Sequence, residues 1–177
     1  MSNMDKFLSL ILRHKPELID LTMDENGWVE VIQLIEKIKL NNKFVISKKI
    51  LENIVAVDDK QRFIFNEDYT LIRATQGHSI EVDLELKPIK PPKILYHGTI
   101  ERFIPFIREI GLDKKNRNYV HLSDNEELAF SVGKRRGFPI ILTIKAEEMY
   151  NKGYDFYLSE NNIWLTDNVP SLYIVFK

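Results

Sequence analysis

Arg13, His14 and Lys15 close an amphipathic helix near the start of the chain, in the run Leu12-Arg13-His14-Lys15-Pro16. A guanidinium is a planar fork of donors that matches phosphoryl oxygens, and an imidazole titrates near neutrality and can supply a proton. Similar groups recur in order along the chain: Lys60-Gln61-Arg62-Phe63, Gln76-Gly77-His78-Ser79 and Arg117. Two further motifs differ in kind, Tyr96-His97-Gly98-Thr99 and Val120-His121-Leu122-Ser123. In the first, glycine lets a ligand approach the backbone, and His97 and Thr99 can hydrogen-bond ribose or pyrophosphate. In the second, His121 and Ser123 alternate along a strand and share one face. Each motif alone has an ordinary explanation. Basic residues in a last helical turn complement the dipole, and a lone arginine usually serves an ion pair. The order of the whole set is what points to chemistry.

Bulk properties narrow the classes. The chain has 177 residues, enough for one larger domain or two small lobes with a real core. Its 44% hydrophobic and 29% charged content is ordinary for a globular protein, and a net charge of −1 requires any polyanion contact to come from a local basic cluster. Cysteine is absent, which removes disulfides, thiolate nucleophiles and cysteine-ligated zinc. The four histidines have no short metal spacing, so no metal is expected. The N-terminus lacks signal-peptide layout and no apolar run approaches spanning length, so the expectation is a cytoplasmic protein without membrane contact.

The elements that must position these groups fall into two sets. Met4, Phe7, Leu8, Ile11 and Leu12 make the buried stripe of the first helix, and Pro16 ends it. Asn26-Gly27 signals a turn, after which Trp28, Val29, Val31, Leu34, Ile35 and Ile38 supply a second helix with its leading residues. Ser47 caps a third helix that buries Ile50, Leu51, Ile54 and Val55. Arg62–Phe65 and Thr70–Ala74 flank Asn66-Glu67-Asp68 as a hairpin. Three helices and a hairpin outline a winged-helix module. Residues 87–93 hold three of the seven prolines and read as an extended linker between lobes 1–86 and 94–177. Beyond it, Ile94-Leu95-Tyr96 is a strand leading into His97, and Phe103–Ile110 is a short helix closed by Gly111. Tyr119–Leu122 is a strand, and Asp124 with Glu127 starts the next helix. Pro139–Ile144 is β-rich, Phe156–Leu165 is a hairpin around Glu160-Asn161-Asn162, and Leu172–Phe176 is a final strand. The fold class is α+β, with a largely antiparallel sheet in the second lobe.

Read in order, these pieces resemble the RNA 2′-phosphotransferase family, enzymes that remove a 2′-phosphate from spliced RNA using NAD. The resemblance rests on Leu-Arg-His-Lys-Pro (12–16), Asp-Lys-Gln-Arg-Phe (59–63), Ile-Arg-Ala-Thr-Gln-Gly-His-Ser (72–79) and Leu-Tyr-His-Gly-Thr (95–99). It extends through Asn-Arg-Asn-Tyr-Val-His-Leu-Ser (116–123), Val-Gly-Lys-Arg (132–135) and Ile-Trp-Leu-Thr (163–166). It implies an N-terminal winged-helix-like RNA lobe joined to a C-terminal lobe of ADP-ribosyltransferase-like fold. It also implies a catalytic set of Arg13, His14, Arg62 and Arg117. NAD as co-substrate would be held by His97, Gly98, Thr99, His121, Ser123 and Arg135. Arg136 adjoins Arg135, but Arg135 occupies the family's Val-Gly-x-Arg position. RNA would be contacted by Lys60, Gln76, His78 and Ser79.

The reaction that the resemblance implies has two steps. The RNA 2′-phosphate attacks the ribose carbon bearing nicotinamide, giving an ADP-ribosylated phosphate. A ribose hydroxyl then attacks phosphorus, expels the RNA 2′-oxygen and releases ADP-ribose 1″,2″-cyclic phosphate. The nucleophile is already anionic and nicotinamide leaves neutral, so arginine forks matter more than a carboxylate base. In the second step arginines stabilise phosphoryl charge, and His14 can protonate the leaving oxygen. Family members often carry Asn before the Asp-Lys-Gln-Arg run, where this chain has Asp58. That extra acid would weaken phosphate binding. The partners expected are a tRNA-like RNA with a 2′-phosphate and NAD, acting on a monomer. Two rival readings are an ADP-ribosyltransferase that caps terminal phosphates of RNA or DNA, and a non-catalytic winged-helix nucleic-acid binder.

Overall fold

In the computed structural model the chain forms two compact units, 1–85 and 86–177, with residues 3–41 and 44–176 described. The first unit opens with α1 (Asn3–Arg13), whose Phe7, Leu8, Ile11 and Leu12 are buried as their spacing predicts. The helix closes where the His14 and Lys15 N–H groups both donate to the Leu10 carbonyl, at 3.0 and 2.9 Å. Pro16, which has no N–H to lose, then begins a single 3-10 turn to Ile19. Next come β1 (Val29–Glu30), α2 (Val31–Leu40) and α3 (Lys48–Ala56). The Ser47 hydroxyl accepts from the Ile50 N–H and caps α3 as expected. The hairpin strands are β2 (Phe63–Phe65) and β3 (Leu71–Ala74). They join β1 in an antiparallel sheet of order β1-β3-β2, with Val29 opposite Ile72 and Phe63 opposite Ala74.

Two details of the first unit depart from the sequence expectation. Trp28 and Val29 lie outside α2, because Val29 and Glu30 pair with β3 and add a strand to the hairpin. Trp28 is half-buried, with the Arg73 guanidinium 4.4 Å from its ring centre. On α3, Leu51 is the fully buried residue, whereas Ile50 faces outward. The core is formed by α1, α2, α3 and the inner face of the sheet, including Leu8, Ile11, Leu34, Ile38, Phe63 and Ile72. Each such side chain contributes roughly 1.5–3 kcal/mol through its removal from water.

The second unit is built on β4 (Leu95–Ile100), β7 (Pro139–Ile144) and β11 (Ile174–Val175), in the order β11-β7-β4. A second antiparallel sheet takes β6 (Val120–Leu122), β9 (Trp164–Thr166) and β8 (Tyr157–Leu158), in the order β6-β9-β8. A bridge between Tyr96 and Ser123 ties the sheets together, with N–H···O bonds of 2.7 and 2.9 Å in both directions. The helices are α4 (Ile104–Ile110), α5 (Glu126–Gly133) and α6 (Ala146–Tyr150). A short ladder pairs β5 (Leu112–Asp113) with β10 (Asn168–Val169), which local patterning did not reveal.

Here too the structure corrects particulars. His97, Gly98 and Thr99 lie inside β4, paired with Leu142, Ile141 and Ile140, so they do not follow a strand as a loop. The cap of α5 is Asn125, whose side chain accepts from the Leu128 N–H, and not Asp124. The final strand covers Ile174–Val175 after a 3-10 turn at Ser171–Tyr173. The proline-rich segment belongs to this unit through three links. Ile89 N–H donates to the Phe156 carbonyl at 2.8 Å, Lys90 pairs with Glu147 at 2.8 Å, and the Lys93 carbonyl accepts from Glu147 N–H at 3.3 Å.

Candidate active site

The end of α1, the turn before β2 and the segment after β3 assemble one polar cluster in the first unit. Arg13 donates from Nη2 to the Arg62 carbonyl at 3.3 Å, and its Cζ lies 5.9 Å from the centre of the Phe63 ring. The same carbonyl accepts from Thr75 N–H at 3.0 Å and from the Thr75 hydroxyl at 3.3 Å. Gly77, at φ +88°, passes beneath Arg13: a β-carbon there would stand 3.4 Å from Nη1. The Ser79 N–H donates to the Arg13 carbonyl at 2.9 Å, and Ser79 Oγ and His14 Nδ1 share a hydrogen bond of 2.9 Å. Sequence segments at 13–14, 62 and 75–79 therefore meet.

Electrostatics in this cluster are set by two buried groups. Asp58 holds Arg62 through its side chain, with Nε within 3.0 Å and Nη2 within 2.5 Å of carboxylate oxygens. Burial alone would raise the Asp58 pKa, but hydrogen bonds from the Arg62 side chain, the Arg62 N–H and the Lys60 N–H outweigh it and leave it below the usual range. The hydrogen bond to Asp58 raises the Arg62 guanidinium further above neutrality. His78 is 1% exposed, and its Nε2 has no hydrogen-bond partner among the described residues. Burial, then the charges of Arg13, His14 and Arg73, push its pKa down to about 4. The ring is neutral at physiological pH.

In the second unit, His97 Nδ1 lies 3.0 Å from the His121 carbonyl. A carbonyl only accepts, so Nδ1 carries the proton and Nε2 of the neutral ring is an acceptor. Thr99 and Ser123 are buried, while His97 and His121 are half-buried. Ser123 Oγ accepts from the Asn125 N–H at 3.0 Å, which fixes the turn into α5. Gly98 serves a different purpose from the ligand approach expected of it. A β-carbon there would stand 1.9 Å from the Ala129 carbonyl oxygen and 3.0 Å from the Gly133 nitrogen, so its open side is filled by α5. Among the described residues, no group of three His, Asp or Glu side chains is placed to hold a metal ion. No helix among them is long and apolar enough to cross a membrane.

The chain matches the family described as RNA 2′-phosphotransferase, Tpt1 / KptA family, over residues 1–168. It belongs to that family. Its relatives include a probable RNA 2′-phosphotransferase of Flavobacterium johnsoniae, 52% identical over 176 residues that cover 99% of this chain and 96% of the relative. It is similarly close to one of Fusobacterium nucleatum, 53% identical over 172 residues covering 97% and 96%, and one of Rhodopirellula baltica, 49% identical over 172 residues covering 97% and 93%. Membership supports RNA 2′-phosphotransferase activity.

For an RNA 2′-phosphotransferase the group to be handled is a phosphoryl group, and the first unit supplies two of the expected arginines and His14 together. Lys60 is exposed in the turn before Arg62, Gln76 is half-buried and Ser79 is exposed beside His14. His78 lies inside, so its direct contacts are with protein. Arg117 is exposed in the turn after Lys114, whose carbonyl accepts the Arg117 N–H at 3.1 Å. Arg135 is exposed on the 3-10 turn Lys134–Arg136, and the Arg136 side chain lies outside the described residues. Two contributors hold Arg62 in ways not expected: Thr75 had no expected part, and Asp58 was expected only to weaken phosphate binding. Thr75 holds the Arg62 carbonyl, and Asp58 holds its guanidinium. The i, i+4 spacing of Asp58 and Arg62 was the signal available for the second.

Proposed function

We propose that the chain removes a 2′-phosphate from RNA by transferring it to NAD, releasing nicotinamide and ADP-ribose 1″,2″-cyclic phosphate. The observation that carries this reading is the arginine–histidine cluster. Arg62 lies 49 positions from Arg13, yet its carbonyl accepts from the Arg13 guanidinium, while Ser79 bonds His14 through its hydroxyl and the Arg13 carbonyl through its N–H. Such forks orient a phosphoryl group and stabilise its charge where water would otherwise compete. The first unit acts as a winged-helix-like RNA-binding module, with Lys60, Gln76 and Ser79 nearest its phosphate cluster. The second, of ADP-ribosyltransferase-like fold, takes NAD.

The residues present suit NAD. His97 Nε2 can accept from a ribose hydroxyl, and Thr99, His121, Ser123 and Arg135 add donors for ribose and pyrophosphate oxygens. NAD supplies the ribose carbon whose bond to nicotinamide breaks. Arg13 and Arg62 hold the 2′-phosphate in line, and Arg117 stabilises charge on the transferred group. As the imidazolium, His14 donates from Nδ1 to the Ser79 hydroxyl and gives its Nε2 proton to the departing 2′-oxygen, which leaves the neutral ring. Incubation with a 2′-phosphorylated oligonucleotide tests the reading. The phosphate should leave RNA only when NAD is added, with nicotinamide and the cyclic phosphate as products. Loss without NAD, or retention with it, overturns the proposal.

A further inference from the structure

Asp58 is a buried acid for which the chemistry above has no use. Its side chain is 3% exposed and gathers four donor groups: Arg62 Nε at 3.0 and 3.1 Å, Arg62 Nη2 at 2.5 Å, the Arg62 N–H at 2.7 Å and the Lys60 N–H at 3.2 Å. The turn it closes is tight. Gln61 sits at φ +45° and donates its N–H to the Asp58 carbonyl at 2.9 Å. A left-handed non-glycine residue persists where its surroundings hold it. Here the Gln61 carbonyl is held by the Thr75 hydroxyl at 3.0 Å.

Two consequences follow for Arg62. Its Nε/Nη2 edge faces Asp58, so the Nη1 end is the part presented to a ligand. The carboxylate also cancels, at short range, much of the attraction that a lone guanidinium would exert on a phosphate dianion. Attraction felt equally by bound substrate and transition state lowers KM without raising kcat, whereas a fixed donor geometry acts on kcat.

We propose that Asp58 is a positioning residue for Arg62: it presents the Nη1 end of the guanidinium to the phosphoryl group and keeps the pair neutral, so that substrate is held less tightly but in one orientation. This rests on the reading that Arg62 meets the 2′-phosphate. The test is steady-state kinetics on a 2′-phosphorylated oligonucleotide with saturating NAD. Asp58→Asn, which removes the charge, should lower KM about three- to tenfold, steepen its salt dependence and reduce kcat about tenfold. Asp58→Glu, which retains the charge, should keep KM near wild type while lowering kcat. In an Arg62→Ala background, Asp58→Asn should change KM less than twofold, because the interaction it alters is gone.

A purely structural role would lower the active fraction and leave KM alone, with or without Arg62. That pattern overturns the proposal. Should wild type fail to turn over the oligonucleotide, the functional reading falls, and nitrogen-15 NMR decides the positioning on its own. The Arg62 Nε–H signal, assigned by its loss in Arg62→Ala, should exchange slowly in wild type and rapidly in Asp58→Ala. Rapid exchange in wild type shows that Asp58 does not hold the guanidinium.

Discussion

Arg13 reaches across 49 positions of sequence to donate to the backbone carbonyl of Arg62 at 3.3 Å. The two cations therefore do not move independently: a shift of the turn carrying Arg62 displaces the anchor of Arg13. Lysine has one compact ammonium and cannot span from the Gly77 backbone to that carbonyl as a planar fork does. Arg13→Lys should consequently fail to rescue Arg13→Ala. Both should lose about 2.7–4 kcal/mol of transition-state stabilisation, a hundred- to thousandfold in kcat, while remaining folded by circular dichroism. Near-normal turnover by Arg13→Lys would show that charge alone matters at this position.

In the proposed two-step reaction, Arg62→Ala should affect the two halves unequally. Breaking the nicotinamide bond needs the phosphate held, whereas releasing the RNA 2′-oxygen builds charge on the phosphoryl group. Removing a cation should hurt the second more. In Arg62→Ala, nicotinamide should appear faster than dephosphorylated RNA, and in Lys60→Ala the same imbalance should be smaller. Equal rates of the two products at all times would place Arg62 in binding or in the first step.

His78 ties stability to pH. Its folded pKa of about 4 lies below the ordinary 6.5, so the unfolded chain binds the proton more readily. Stability from the neutral buried ring is fully present above about pH 6.5 and is lost as pH falls towards 4. The loss between pH 7 and 4.5 is roughly 2–3 kcal/mol. Urea denaturation at the two pH values should show it in wild type and a much smaller loss in His78→Leu. An unchanged pH dependence in the variant would assign the acid sensitivity elsewhere.

Gly98 leaves no room for a side chain, since a β-carbon would stand 1.9 Å from the Ala129 oxygen. Gly98→Ala must push α5 away from β4 and should cost about 1–3 kcal/mol. Calorimetry should record a fall of several degrees in Tm. By contrast, Gly153→Ala, with no atom within 4 Å of the added carbon, meets only the strain of φ +91°. Equal Tm values for Gly98→Ala and wild type would contradict the close packing.

The parts of this molecule that could be read from sequence are those governed by local rules. The stripe of α1, the Ser47 cap, the β2–β3 hairpin and the Gly111 helix end follow from periodicity and turn chemistry within a few residues. Two-residue strands such as Val29–Glu30 and Leu112–Asp113 are too short to carry a period and exist because a distant strand pairs with them. At the site, the identities of Arg13, His14 and Arg62 were readable, but their linkage was not. Linkage depends on a carbonyl at 62 and a hydroxyl at 75, which every sequence and many loops possess. Gly98 was recognised as a place of close approach. Nothing in a glycine says whether the approaching group is a ligand or a helix.

That contact between β4 and α5 bears on evolution as much as on packing. A strand that slips by one residue moves every side chain to the other face. In β4 such a slip would bring His97 or Thr99 under the Ala129 carbonyl, where neither side chain has room. The spacing of His97 and Thr99 is thus enforced from the sheet's face as well as along its edges. Drift in the sequence of α5 is constrained by the alignment of the strand it covers.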